Sequence, residues 1–158
     1  SNLNNAVGIA NVLELVRRGV RVGLGTDAMT VNMLEELRVG LWVQHLRQEN
    51  PSCGFMELTD TLFVRNPGLA TQLWGFPLGT LEEGAAADVI LVDYDPPTPL
   101  DNKTALGHLV FGISQATVDT TICGGRILME GRRLQIDVDE AAVATRSREL
   151  ARKLWERF

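Results

Sequence analysis

Apolar residues recur at helical spacing in residues 4–18. Ile9, Val12, Leu13 and Val16 fall at i, i+3, i+4 and i+7, and Gly19 after Arg17-Arg18 supplies a stop. The period then changes. "VRVGLGT" (20–26) is apolar or small at every position but one, which predicts a short parallel strand covered on both faces. Residues 32–48 return to helical period, with Leu34, Leu37, Leu41 and Leu46 near one face and Asn32/Glu35 spaced as a capping box. Residues 56–65 read as a helix, and Asn66-Pro67 as the N-cap and first position of another that ends near Gly75. From there strand patterns take over: "DVILVDYD" (88–95), "HLVFGI" (108–113) and "VDTTIC" (118–123). Gly124-Gly125 suits a two-residue hairpin into "RILMEG". "PPTPLDNKT" (96–104) is a loop that no sheet interior accepts. A helix over 139–158 closes the chain, with Val143, Leu150, Leu154 and Phe158 as its apolar stripe and Glu149/Lys153 as an i,i+4 pair.

The pattern divides the chain into an α/β part, 1–75, and a strand-rich part with a terminal helix, 76–158. The first part is incomplete as it stands. A single parallel strand between two helices has no ladder partner, so its partner is expected outside these 158 residues, in a longer chain or another subunit. The start at Ser1, without Met, fits a fragment that begins in mid-fold.

Composition narrows the function classes. Hydrophobic residues at 45% suffice for a core, and a formal charge of −5 argues against a nucleic-acid binder, which carries a basic stripe. No apolar run is long enough to span a bilayer, and no secretory signal opens the sequence. Cys53 and Cys123 lie far apart and outside any CxxC pair, as expected of reduced thiols in a cytoplasmic protein.

The chemistry-bearing stretch is "GVRVGLGTDAMTVN" (19–32), an apolar run that stops at a carboxylate. Gly23-Leu24-Gly25-Thr26-Asp27-Ala28 formally matches the dinucleotide fingerprint GxGxxA. A carboxylate at Asp27 would repel the pyrophosphate, however, and no second strand ends in an acid about 20 residues on. Two readings of Asp27 stay open from spacing alone. It caps the following helix, or it reaches a metal from the C-terminal mouth of a parallel barrel. The two histidines, His45 and His108, fall in a helical and a strand pattern and read as structural or surface residues.

"SNLNNAVG" (1–8), "GVRVGLGTDAMTVNMLEELR" (19–38), "GTLEEGAAADVILVDYDPPTPLD" (79–101) and "LVFGISQATVDTTICGGRILMEGRRL" (109–134) together resemble the amidohydrolase superfamily. The similarity is to its aminohydrolase and chlorohydrolase branch, including the aminohydrolases associated with selenium metabolism. One departure is that Glu83-Gly84-Ala85-Ala86-Ala87-Asp88 stands where the family usually has Glu-Gly-Lys-x-Ala-Asp. Asp88 is then expected to satisfy backbone donors at a turn.

The resemblance implies an α/β fold: the C-terminal fragment of a metal-dependent (β/α)8 barrel plus part of a small β-sandwich with a terminal helix. It implies a deaminase or dechlorinase acting on a C–N or C–Cl bond of a small, heterocyclic substrate. One divalent metal, zinc or iron, would serve the full-length enzyme, and none would be stably held by this portion, which alone would be inactive. Asp27 is the implied metal ligand and catalytic proton carrier, and Asn2 and Met29 are candidate substrate contacts. The implied partners are the missing N-terminal portion, a small-molecule substrate and, as an open option, a second copy, with no nucleic acid and no membrane. A non-catalytic subunit that completes another chain's barrel is the alternative, and a dinucleotide-binding module the remoter one.

Overall fold

A computed structural model describes all 158 residues. Turns occupy only residues 2–6 of the first ten, and helix α1 spans only Val12–Arg17. The helix expected from residue 4 is delayed by its own sequence. Ala6 and Gly8 take positive φ, +53° and +96°, which interrupts a helix there, and the side chain of Asn11 accepts from the Glu14 amide to begin the helix. Helix α2, Met33–Gln48, forms as expected, with Asn32 Oδ1 accepting from the Glu35 amide at 3.1 Å.

Helices α3 (Phe55–Asp60) and α4 (Asn66–Trp74) are joined without a break by a wide turn, Thr61–Arg65. There the Asn66 amide donates to the Thr61 carbonyl, five residues back. The Asn-Pro pair therefore does not cap a new helix. The wide turn makes room for Pro67, whose ring would otherwise press on the carbonyl four residues earlier. Gly75, at φ +79°, ends α4 as expected.

Strands β1 (Val89–Asp93), β2 (Thr117–Cys123), β3 (Arg126–Glu130) and β4 (Arg133–Leu134) make one antiparallel sheet in the order β1-β2-β3-β4. Gly124 and Gly125 both take positive φ, +54° and +75°, as a tight hairpin requires. Asp88 Oδ1 accepts from the Gly124 amide at 2.7 Å, the turn role expected of it.

The 108–113 run is a correction. It is helical, not a strand: α5 (Ala105–Gly107) continues through a wide turn, His108–Gly112, into a short 3-10 turn, Ile113–Gln115. A short apolar run has no period that separates the two states. What decides is the start and the floor. Asp101 Oδ1 accepts from the Lys103 and Thr104 amides, which opens the turn and, led by the Lys103 bond, lowers that carboxyl's pKa. His108 is buried, with Nδ1 2.7 Å from the Tyr94 hydroxyl and Nε2 3.2 Å from the Pro99 carbonyl. A neutral ring that accepts at Nδ1 and donates at Nε2 satisfies both. Gly112 leaves room for Tyr94, since a Cβ there would overlap the hydroxyl.

The core is a cluster of Val12, Leu13, Leu37, Leu41, Leu58 and Val110, so α1, α2, α3 and the 108–112 turn meet at one point. Helix α6, Glu140–Trp155, is capped by Asp139. Its stripe is exposed (Val143 59%, Leu150 49%, Leu154 47%), and Glu149 pairs with Arg146 at 3.2 Å rather than with Lys153. Trp42, Trp74 and Trp155 are also exposed, Trp42 beneath the Arg38 guanidinium at 5.2 Å. No helix is long and apolar enough to cross a membrane.

Candidate functional site: the turn that carries Asp27

The strand that the apolar run predicts over 20–26 does not form within this chain, because the segment joins no ladder. Its packing is against helices: Val22 and Leu24 lie against the core cluster. At Leu24 both backbone groups are satisfied by one side chain. The amide donates to Asn66 Oδ1 and the carbonyl accepts from Asn66 Nδ2, each at 2.9 Å.

The chain then turns sharply. Asp27 and Ala28 sit in the left-handed region, at φ +52° and +58°, and the Met29 amide closes onto the Thr26 carbonyl at 3.0 Å. Left-handed backbone costs a non-glycine residue about 1 kcal/mol, least for Asn and Asp. Helix α2 begins only at Met33, under its own cap Asn32. This removes the capping explanation for Asp27. It also removes the geometry of a dinucleotide loop, in which the helix opens directly behind the glycines.

Asp27 is exposed, and its one side-chain partner is Asn5, whose Nδ2 lies 3.4 Å from Asp27 Oδ2. Asn2 instead lines a cavity of about 230 Å³ shared with Ile9, Val22, Leu24 and Gln44. Met29, 47% exposed, follows Asp27 on the turn but does not line that cavity. The fold thus brings Asp27 to Asn5 and places Asn2 in a separate hollow. Thr30 and Asn32, next along, serve the turn and the cap. Asn5 was hidden among three asparagines in five residues, where nothing in the sequence says which one faces the acid.

A divalent metal does not fit the donors of this chain alone. No group of three or more His, Cys, Asp or Glu residues converges anywhere. His108 spends both nitrogens on Tyr94 and Pro99, and His45 lies half-buried on α2. One carboxylate is left where about three or four protein ligands are needed. Elemental analysis of the purified 158-residue protein should therefore find well under one equivalent of zinc or iron. A tightly held stoichiometric ion would overturn this.

Residues 1–128 match the amidohydrolase family, and the chain belongs to that family. Among its relatives, a 5-methylthioadenosine/S-adenosylhomocysteine deaminase of Desulforudis audaxviator is 36% identical over 99% of this chain and 37% of its own length. A 5'-deoxyadenosine deaminase of Methanobrevibacter smithii is 30% identical over 99% of this chain and 37% of its own. A solved adenosine deaminase of Xanthomonas campestris with bound zinc superposes with a TM-score of 0.75 at 22% identity, covering 98% of this chain and 36% of that one. The chain thus spans about a third of the length of the relatives it matches. Its mixed helix–sheet architecture corresponds to part of the amidohydrolase fold, as the sequence motifs implied.

Proposed function

We propose that this chain forms part of a hydrolase that deaminates a small heterocycle of the adenosine class, with Asp27 as its proton carrier. The observation that supports this reading is the placement of Asp27. It ends an apolar segment, has no capping duty, and stands free on a left-handed turn with one amide beside it. Such a carboxylate can take a proton from water as its oxygen adds to the carbon bearing the amino group. Returned to the amine nitrogen, that proton lets ammonia leave, and the second water proton ends on the neighbouring ring nitrogen as the carbonyl forms, which balances the hydrolysis. A divalent metal, zinc or iron, belongs to the same proposal, with every donor except Asp27 drawn from outside these 158 residues.

Substrate contacts follow the same reading. Asn2 and Met29 remain proposed contacts, and Asn5 joins them because it already reaches the acid. Dechlorination is the weaker option: chloride leaves without needing a proton, so a carboxylate placed to return one favours the amine.

The test is a chimera in which this chain replaces the matching third of the Desulforudis relative. Wild-type chimera should release ammonia from 5-methylthioadenosine or S-adenosylhomocysteine, while the 158-residue protein alone should release none. A folded, metal-loaded chimera without turnover on either nucleoside would defeat the proposal.

A further inference from the structure

We infer that Asn66 is a positioning residue for Asp27, acting through the backbone of Leu24; the inference rests on the proton-carrier reading of Asp27. Within this chain the segment 20–26 lacks a strand neighbour, so no ladder fixes its rotation. Asn66 takes over that task at one residue. Its carboxamide presents a donor and an acceptor side by side and engages both the amide and the carbonyl of Leu24 at 2.9 Å. Two parallel bonds fix the orientation of the backbone as well as its position, which a single bond does not. Asp27 lies three residues further on, across Gly25 and Thr26, so a rotation at Leu24 is carried to the carboxylate.

Two features support the clamp. Gly23 is needed beside it, because a Cβ there would stand 2.5 Å from Asn66 Oδ1. The wide turn Thr61–Arg65 sets the phase of Asn66. One extra residue in that turn rotates everything after it by about 100° relative to a regular helix, so without it Asn66 would face away from Leu24. Wide turns of this kind are frequent at functional sites, and here the turn has an identifiable product. Asn66 thus serves the strand instead of the helix start that its sequence context suggested.

Amide hydrogen exchange and backbone NMR on the 158-residue protein test this without requiring activity. Asn66→Ala should speed exchange at the Leu24 amide about tenfold, the scale of one lost hydrogen bond, and shift the Asp27, Ala28 and Asn5 side-chain resonances. Signals of β1–β3 should stay in place. Asn66→Asp keeps the acceptor for the Leu24 amide but sets an oxygen against the Leu24 carbonyl, so it should give an intermediate effect. It carries the same readings if the alanine variant does not fold. In the active chimera Asn66→Ala should lower kcat about tenfold with KM within twofold, and Asn66→Asp should recover part of the loss. A merely structural role would reduce the amount of folded enzyme and leave kcat per folded site unchanged. Unaltered exchange at Leu24, or faster exchange with Asp27 and Ala28 unmoved, overturns the inference. Failure of the chemistry itself is read separately, from Asp27→Asn.

Discussion

Asp27→Asn in the chimera should lower kcat about a thousandfold and leave the fold intact. The magnitude follows from the role: a positioned acid–base group contributes roughly 10² to 10⁴ in rate, and Asn cannot take or return a proton at neutral pH. The substitution is also clean for a backbone reason. Asp27 sits at φ +52°, where Asn is as well tolerated as Asp, so the turn survives. Asn keeps an oxygen for the Asn5 amide, and an exposed change of this kind should alter stability by under about 0.5 kcal/mol. Asp27→Ala would be a poorer test, because alanine at that φ adds strain to the loss of the carboxylate. Ammonia release and the melting temperature, measured side by side, separate the two effects. Full turnover in the Asn variant would reduce Asp27 to a turn residue.

Elements with a local signature were legible in the sequence, and elements decided by distant contacts were not. Asn32/Glu35 announced the start of α2, and Gly124-Gly125 the β2–β3 hairpin, because a cap and a tight turn are each specified within four residues. Asp88 belongs with them, since its acceptor role at the hairpin is set by the turn beside it. The 108–113 run went the other way. Its six residues fit strand or helix, and Tyr94, Pro99 and the core around Val110 choose the helix from outside it.

The candidate site shows the same division. Asp27 stood out as a carboxylate closing an apolar run, which is a local pattern. Asn5 and Asn66 act across 22 and 42 residues of sequence, and no spacing rule connects them to their partners. Asn66 was masked further by Pro67, since Asn-Pro is an ordinary way to begin a helix. Its side chain instead reaches back to the Leu24 backbone, from a position directly after the wide turn.

Leu58→Ala should cost the 158-residue protein about 2–5 kcal/mol, the usual range for emptying a fully enclosed leucine site. Leu58 is completely buried and belongs to the cluster where α1, α2, α3 and the 108–112 turn meet. The site has little freedom to collapse. The Leu58 methyls lie 3.5 Å from where a Cβ on Gly40 would stand, and a similar distance from one on Gly54, so backbone lines the hole on two sides. The loss is also large relative to what the chain has. Only 13 of 158 residues are buried, and six of those are hydrophobic, which places total stability near or below the low end of the 5–15 kcal/mol typical of domains. With a urea slope of about 1–3 kcal/mol/M, the midpoint should fall by about 1 M or more, or cooperative unfolding should vanish at 25 °C. Leu73→Ala, 77% exposed on α4, is the control and should move the midpoint by no more than about 0.5 kcal/mol in equivalent stability. Equal shifts for the two variants would mean that the six-residue cluster does not hold the helical part together, and that the turn bearing Asp27 depends on contacts elsewhere.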